Sequence, residues 1–439
     1  MLQCYQCNGQ AVLHEKGEGR TFCSADHHEL YHVGWSALLD TINTQPSLRH
    51  RVIQHLGMKR AKEEEEEIIV TLEELEFLPD DVMGEILRFA YHEVGVGAQK
   101  TGDAAKARRA SKRMRELVDK YLFLPVKELG GDVLYNIDDE GLSLFKGLEK
   151  LCLSWYTCSK LTEQGVAKMV QLKDLSISTT HIPWTGECFQ RMTSLTKLEI
   201  GGHYGDAKEL LFMDGCFKPL VSLEELVLEG YNGVEDFQIE ALPHLKRLTL
   251  RRNGLISGKC FLALTQLETL IIEKPYKVME AEVFRSLSLS LTRLELKGAS
   301  GITDEVLAGM ASLRVLKLKK GKTGISDVGL MGLTKLRNLT LTNVPNITNK
   351  GLSLMSCLGA LHLFHNQTIT LDGLLPFKET LSVITLFRSL IHFNTLSGFA
   401  KLRYVSHEYD REEAFASFVG KEKIRFTWIN PPWARYQMK

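Results

Sequence analysis

The sequence predicts an α/β solenoid, on two observations. Blocks of the type Leu-x-x-Leu-x-[Leu/Ile/Val] begin at Leu148, Leu172, Leu195, Leu223, Leu245, Leu267, Leu291, Leu313, Leu336, Leu358, Leu381 and Leu402, in steps of 21 to 28 residues. Before several of these blocks stands Ile-[Thr/Ser/Asp]-[Asp/Asn]-x-Gly-Leu, as in Ile137-Asp-Asp-Glu-Gly141-Leu142, Ile325-Ser-Asp-Val-Gly329-Leu330 and Ile347-Thr-Asn-Lys-Gly351-Leu352, with the glycine seven residues ahead of the first leucine. A unit written about twelve times over more than half the chain is a stack of identical supersecondary pieces.

Each piece has a physical reading. In Leu313-Arg-Val-Leu316-Lys-Leu318 the alternation is that of a strand with Leu316 and Leu318 on one face and Val315, Lys317 and Lys319 on the other. One such strand cannot bury its leucines alone, so neighbours must stack on it. In the upstream motif, Thr, Ser, Asp or Asn caps a short helix whose apolar residues, Leu330 and Leu333 or Leu352 and Met355, close the opposite side. These units resemble leucine-rich repeats, close to the short variety found behind F-boxes. The resemblance covers about residues 133 to 430 and implies a horseshoe of about twelve repeats.

Composition narrows the class. With 439 residues, 44% of them hydrophobic and 25% charged, the chain has ample core. Its formal charge of zero gives no global attraction to nucleic acid or membrane. No apolar run approaches the roughly 18 residues a membrane span needs, and no signal peptide is visible, so an intracellular protein of cytoplasm or nucleus is expected. Nine cysteines, six of them scattered singly through the repeats, suit reduced thiols packed as small apolar groups.

Residues 1–40 are expected to form a zinc module. Cys4-x2-Cys7 and Cys23-x3-His27 gather three thiols and an imidazole within 24 positions, the ligand types tetrahedral zinc prefers, with His28 or His32 as alternatives for the fourth place. Free thiols with solvent-facing histidines are the competing reading. Phe22-Cys23-Ser24 and its spacing to His27 resemble half of a treble-clef finger, which implies structural zinc. Residues 41–70, with Glu63 to Glu67 in a row, read as a charged linker.

Residues 71–124 carry two amphipathic helices. Pro79 suits a first turn, Asp80 and Asp81 its positive end, and Val82, Met83, Ile86, Leu87 and Ala90 follow at helical spacing; Ala110, Met114, Leu117, Val118 and Tyr121 make a second stripe. Leu78-Pro79-Asp80-Asp81-Val82 through Ile86-Leu87, with Ser111-Lys-Arg-Met114-Arg-Glu-Leu117, resembles an F-box. The middle is lengthened and glycine-bearing, and Met114 stands where an aromatic is usual. That resemblance implies docking to a Skp-type adaptor and cullin through Leu78, Pro79, Val82, Ile86, Leu87, Met114 and Leu117, making the chain a non-catalytic substrate receptor of an SCF-type ubiquitin ligase. A stand-alone leucine-rich-repeat scaffold, its helices merely capping the array, is the alternative.

Residues 125–430 hold the repeats and 431–439 a tail. On the strand positions that face away from the leucines, Arg247, Arg251, Arg293, Lys297, Lys317 and Lys319 outnumber Glu273 and Glu295, and Phe364, Phe387 and Tyr404 follow. This basic band is expected to hold an acidic or phosphorylated segment of a protein client. The glycine-lysine runs near Lys100 and Lys322 lack the spacing of a phosphate loop, and no nucleophile motif is present.

Overall fold

Each leucine block folds as a four- or five-residue strand because its alternating apolar positions meet the same positions of the next block. The computed structural model describes residues 13–14, 21–22, 38, 42, 80–92, 112–131, 134, 425–428 and 137–407, in the last range without 154–159, 179–181, 202–211, 231, 277–278, 299–300 and 320–323. Two compact units divide the chain, Met1–Leu195 and Thr196–Lys439.

In the first unit, β1 (Leu13–His14) and β2 (Thr21–Phe22) pair antiparallel. Helix α1 (Asp80–His92) opens on the predicted acidic pair Asp80 and Asp81, and packs on α2 (Lys112–Val118) and its π-helical continuation Asp119–Phe123. Their apolar stripes are spent inside the chain: Met83, Ile86, Leu87, Leu117, Val118, Leu122 and Phe123 are buried. Phe123 then meets Phe145 edge-on at 5.1 Å between ring centroids, which joins the helices to the first repeat. Three parallel strands follow, β3 (Glu128–Gly130), β4 (Lys150–Leu153) and β5 (Asp174–Ser178), with Leu129, Leu151 and Leu175 in register. Across them Glu149 binds Lys127 at 3.0 Å and Lys173 at 2.7 Å, and the hydrogen bonds from these two lysines draw its carboxyl down to about 2.

The second unit is a run of parallel strands in chain order: β6 (Lys197–Gly201), β7 (Glu225–Glu229), β8 (Arg247–Arg251), β9 (Thr269–Glu273), β10 (Arg293–Lys297), β11 (Val315–Lys319), β12 (Asn338–Thr342), β13 (Ala360–Phe364), β14 (Val383–Phe387), β15 (Tyr404–His407) and β16 (Arg425–Trp428). Register is kept throughout, so that Leu294, Leu316, Leu339, Leu361, Ile384 and Val405 lie side by side. Leu316, Leu318, Leu339, Leu341, Leu361 and Leu363 are fully buried, each burial stabilising by about 1.5–3 kcal/mol. This is the leucine-rich-repeat solenoid the periodicity predicts.

Short helical turns return the chain on the other side, and here the Thr/Ser-Asp-x-Gly motif has two jobs. Ser326 and Thr348 cap their own turns, accepting from the N–H groups of Val328 and Lys350 at 3.3 and 3.2 Å. The next residue reaches forward one repeat: Asp304 accepts from Ser326 N at 2.7 Å, Asp327 from Thr348 N and Oγ1 at 2.7 Å, and Asn349 from Thr370 N at 2.9 Å. Asp236 does the same for Ser257, Gly258 and Cys260, and buried Glu163 for Thr185, Gly186 and Cys188. The motif glycine makes room for that carboxylate, since a Cβ at Gly329 would lie 2.5 Å from Asp304 Oδ1; Gly351 meets Asp327 and Gly373 meets Asn349 in the same way.

Adding a methyl here therefore has a specific expected cost. Gly329→Ala should lower stability by about 1–3 kcal/mol in urea unfolding, and by clearly less in an Asp304→Ala background, because the atom it strikes is gone. Equal costs in both backgrounds would show that the crowding is not with this carboxylate.

Candidate functional site

In strands whose second and fourth side chains enter the core, the first, third and fifth lie on the opposite sheet face. From β6 to β11 twelve of those positions are charged, Lys197, Glu199, Glu225, Glu229, Arg247, Arg251, Glu273, Arg293, Glu295, Lys297, Lys317 and Lys319, beside uncharged Gly201, Val227, Thr249, Thr269, Ile271 and Val315. From β12 to β15 they carry Asn338, Thr340, Thr342, Ala360, His362, Phe364, Val383, Thr385, Phe387, Tyr404 and Ser406, without a formal charge. The face thus has a charged half and an uncharged, partly aromatic half.

The predicted basic band is brought together, but largely as a ladder of ion pairs between strands. Arg247 binds Glu225 at 2.9 Å, Arg251 binds Glu229 at 3.7 Å, Lys297 binds Glu273 at 3.8 Å, and Glu295 receives Lys317 from the next strand at 2.9 Å and Arg293 from its own strand. Among the described residues Lys319 alone of the six lacks an ion-pair partner. Glu225 and Glu229, one strand before the band, supply partners for Arg247 and Arg251, and these pairs become visible only once the strand register is known. Burial pushes the Glu295 carboxyl up, but the hydrogen bond from Lys317 and the charge of Arg293 outweigh it and hold the group below the usual carboxylate range. His362 shares a 2.9 Å hydrogen bond between Nδ1 and Thr385 Oγ1, and burial together with Lys317 lowers its pKa.

The aromatic end differs from expectation at one residue. Tyr404 is 42% exposed and Phe364 half-buried, whereas Phe387 is only 4% exposed. Neighbours explain the cover: Phe364 lies 6.3 Å and His365 5.2 Å from the Phe387 ring, and the Arg388 guanidinium sits 5.8 Å from its centroid. Phe387 therefore supports the surface that the other two present.

Sequence reading missed a row just past the strands. Arg252, Lys274, Asn343, His365 and Arg388 have left-handed backbone, with φ of 52°, 48°, 53°, 51° and 48°, as do Gly230 and Gly298 at equivalent places. The amide of each of the first four continues the sheet, donating to the carbonyl of Glu273, Lys297, Phe364 and Phe387 respectively. A left-handed Arg, Lys or His costs on the order of 1 kcal/mol relative to glycine. Gly230, Gly298 and Asn343 in one register were the available signal.

Of the residues assigned to the adaptor, Ile86, Leu87 and Leu117 are buried within the chain and Val82 is half-buried; Leu78, Pro79 and the Met114 side chain lie outside the described residues. The expectation of structural zinc is corrected: among the described residues no group of three or more His, Cys, Asp or Glu is placed to hold a metal ion. Cys4, Cys7, Cys23 and His27, like His28 and His32, lie outside the described residues. In the repeats Cys188, Cys216 and Cys260 are buried, and burial followed by the nearby Asp236 carboxylate pushes the Cys260 thiol far up, which keeps it protonated. No helix among the described residues is long and apolar enough to cross a membrane.

No protein-family model and no curated protein matches the chain. Among solved structures it is similar to an internalin (inlF) from Listeria monocytogenes, at 19% identity and a TM-score of 0.43, covering 62% of this chain and 83% of that one. It is also similar to the mouse RP105/MD-1 complex, at 22% identity and a TM-score of 0.46, covering 66% of this chain and about half, 53%, of that one. The fold assignment rests on the in-register strands of this chain, not on either likeness.

A carboxyl lowered in the fold stabilises above its unfolded pKa and loses that contribution as pH falls through the folded value. Glu295→Gln should therefore cost about 1 kcal/mol near pH 7, with the gap to wild type closing below about pH 4. Urea unfolding at both pH values reads this out, and a gap that persists unchanged in acid would mean the ladder is not stabilising.

Proposed function

We propose that the chain is a non-catalytic protein-interaction module that holds a protein client on the exposed face of its repeat sheet. The single observation that supports this best is the partition of that face. An uncharged end with exposed Tyr404 and half-buried Phe364 borders a cation-rich middle built from Arg247, Arg251, Arg293, Lys297, Lys317 and Lys319. Aromatic and arginine side chains are the favoured anchors of protein interfaces, and half-exposed cations can exchange an internal carboxylate for one on a client. The buried leucines leave these lanes without a duty in the core.

A finer reading attaches this module to a Skp-type adaptor and cullin, so that the client is presented for ubiquitin transfer by partner subunits. It is favoured by the F-box-like motif falling on a real helix, α1, which packs on α2. In that reading Leu78, Pro79, Val82 and Met114 meet the adaptor while buried Ile86, Leu87 and Leu117 set the shape of the helical pair. The interaction-module reading stands without it.

Both are tested by capturing partners of the tagged full chain after cross-linking in cells. A Phe364→Asp, Tyr404→Asp variant should lose the client, and Leu375→Asp, at an exposed site on the helical side, should keep it. Retention by the first and loss by the second would contradict the sheet-face reading. Skp adaptor should co-purify with wild type and be lost with Val82→Asp; wild type without Skp ends the finer reading alone.

A further inference from the structure

The row of left-handed residues past the strands combines three properties. Its backbone suits glycine or asparagine, which occupy it at Gly230, Gly298 and Asn343, but Arg252, Lys274, His365 and Arg388 hold the same conformation. Backbone strain of this kind persists where a side chain is needed at that spot. The described positions of the row contain no carboxylate. The lane beside it adds Arg251, Lys297 and Lys319, against Glu229 and Glu273, whose ion pairs at 3.7 and 3.8 Å are long. Lys274 and Arg388 are exposed, and neither Lys274 nor Lys319 has an ion-pair partner among the described residues.

We infer that this strand-end edge of the second unit docks an acidic, extended polypeptide segment lying across the strand ends, an inference that rests on the sheet-face client reading. Charge complementarity selects the occupant: a one-sided cationic edge takes an anionic chain. Arg252 and Lys274 follow neighbouring strands, about 4.8 Å apart and within flexible reach of the ~6.6 Å spacing of same-side residues in an extended peptide, and Arg388 follows the fifth strand beyond Lys274. A polypeptide fits better than a nucleic acid. Phe387, whose ring lies 5.8 Å from the Arg388 guanidinium, is buried and unavailable for base stacking, and Thr342 and half-buried Phe364, at the last positions of their strands, offer contacts to side chains.

The experiment uses the full chain and a fluorescein-labelled peptide alternating Glu with Thr, its Gln counterpart, and oligo(dT) of matched charge. Wild type should bind the Glu peptide at low salt about tenfold more tightly than the Gln peptide. An Arg252→Gly, Lys274→Gly, Arg388→Gly variant should lose that preference while its melting temperature stays level or rises, because glycine accepts the left-handed backbone. The matching Asn variant should behave alike and guards against misfolding of the first. No preference in wild type, a preference that survives both variants, or tighter binding of oligo(dT) overturns the inference. If the preference survives while Phe364→Asp, Tyr404→Asp still loses the cellular client, only the edge is wrong; if that variant keeps its client, the sheet-face reading fails as well.

Discussion

One strand and one short turn cannot bury two rows of leucine, so every repeat is stable only against the next. All else in the molecule follows from that constraint. It forces the strands into register, since a slip of one residue would turn Leu316 and Leu318 outward and Lys317 inward. It also demands a second tie on the helical side, where the forward-reaching carboxylates of Asp236, Asp304 and Asp327 satisfy the capping residues one repeat ahead. Burial of Asp236 would push its carboxyl up, but donors from Ser257 and Cys260 outweigh this and keep it lowered, so the tie is strongest when ionised. The glycine of the motif is the space that tie requires.

Once the leucines and carboxylates are committed to stacking, what remains for recognition is the outward lanes and the strand ends. Those lanes are not uniform. From β6 to β11 most charges find an opposite charge on a neighbouring strand or their own, although Lys297 lies opposite Lys319; from β12 to β15 hydroxyl, amide and aromatic groups take over. Charge that is already paired contributes orientation and selectivity to an encounter more than raw affinity, while an uncharged surface bearing Tyr404 and Phe364 can contribute buried area. The same strand thus serves stability with one face and recognition with the other.

How much of this was legible in the sequence differs by residue. Leu148 through Leu402 announced the strands because burial repeats at fixed spacing, and Ser326 and Thr348 announced their caps because capping is local. Asp304 and Gly329 did not reveal their contact, since it joins residues of different repeats and needs the register. Glu225 escaped for the same reason, and with it the pairing of Arg247. Alternation puts Phe387 on the outward face, but its covering by Phe364, His365 and Arg388 is a matter of packing that alternation does not encode. Arg252, Lys274 and Arg388 gave no sign of left-handed backbone, because that conformation is written in Gly230 and Gly298 at the equivalent positions of other repeats.

Site-specific photo-cross-linking tests most directly the claim that the sheet face, and not the helical side, is where the protein engages its client. A photoreactive phenylalanine analogue replaces Tyr404 in one full-length variant and Leu375 in another, and both are irradiated in cells. A discrete protein adduct is expected from position 404 and none from position 375. An adduct from 375 with none from 404 would contradict it.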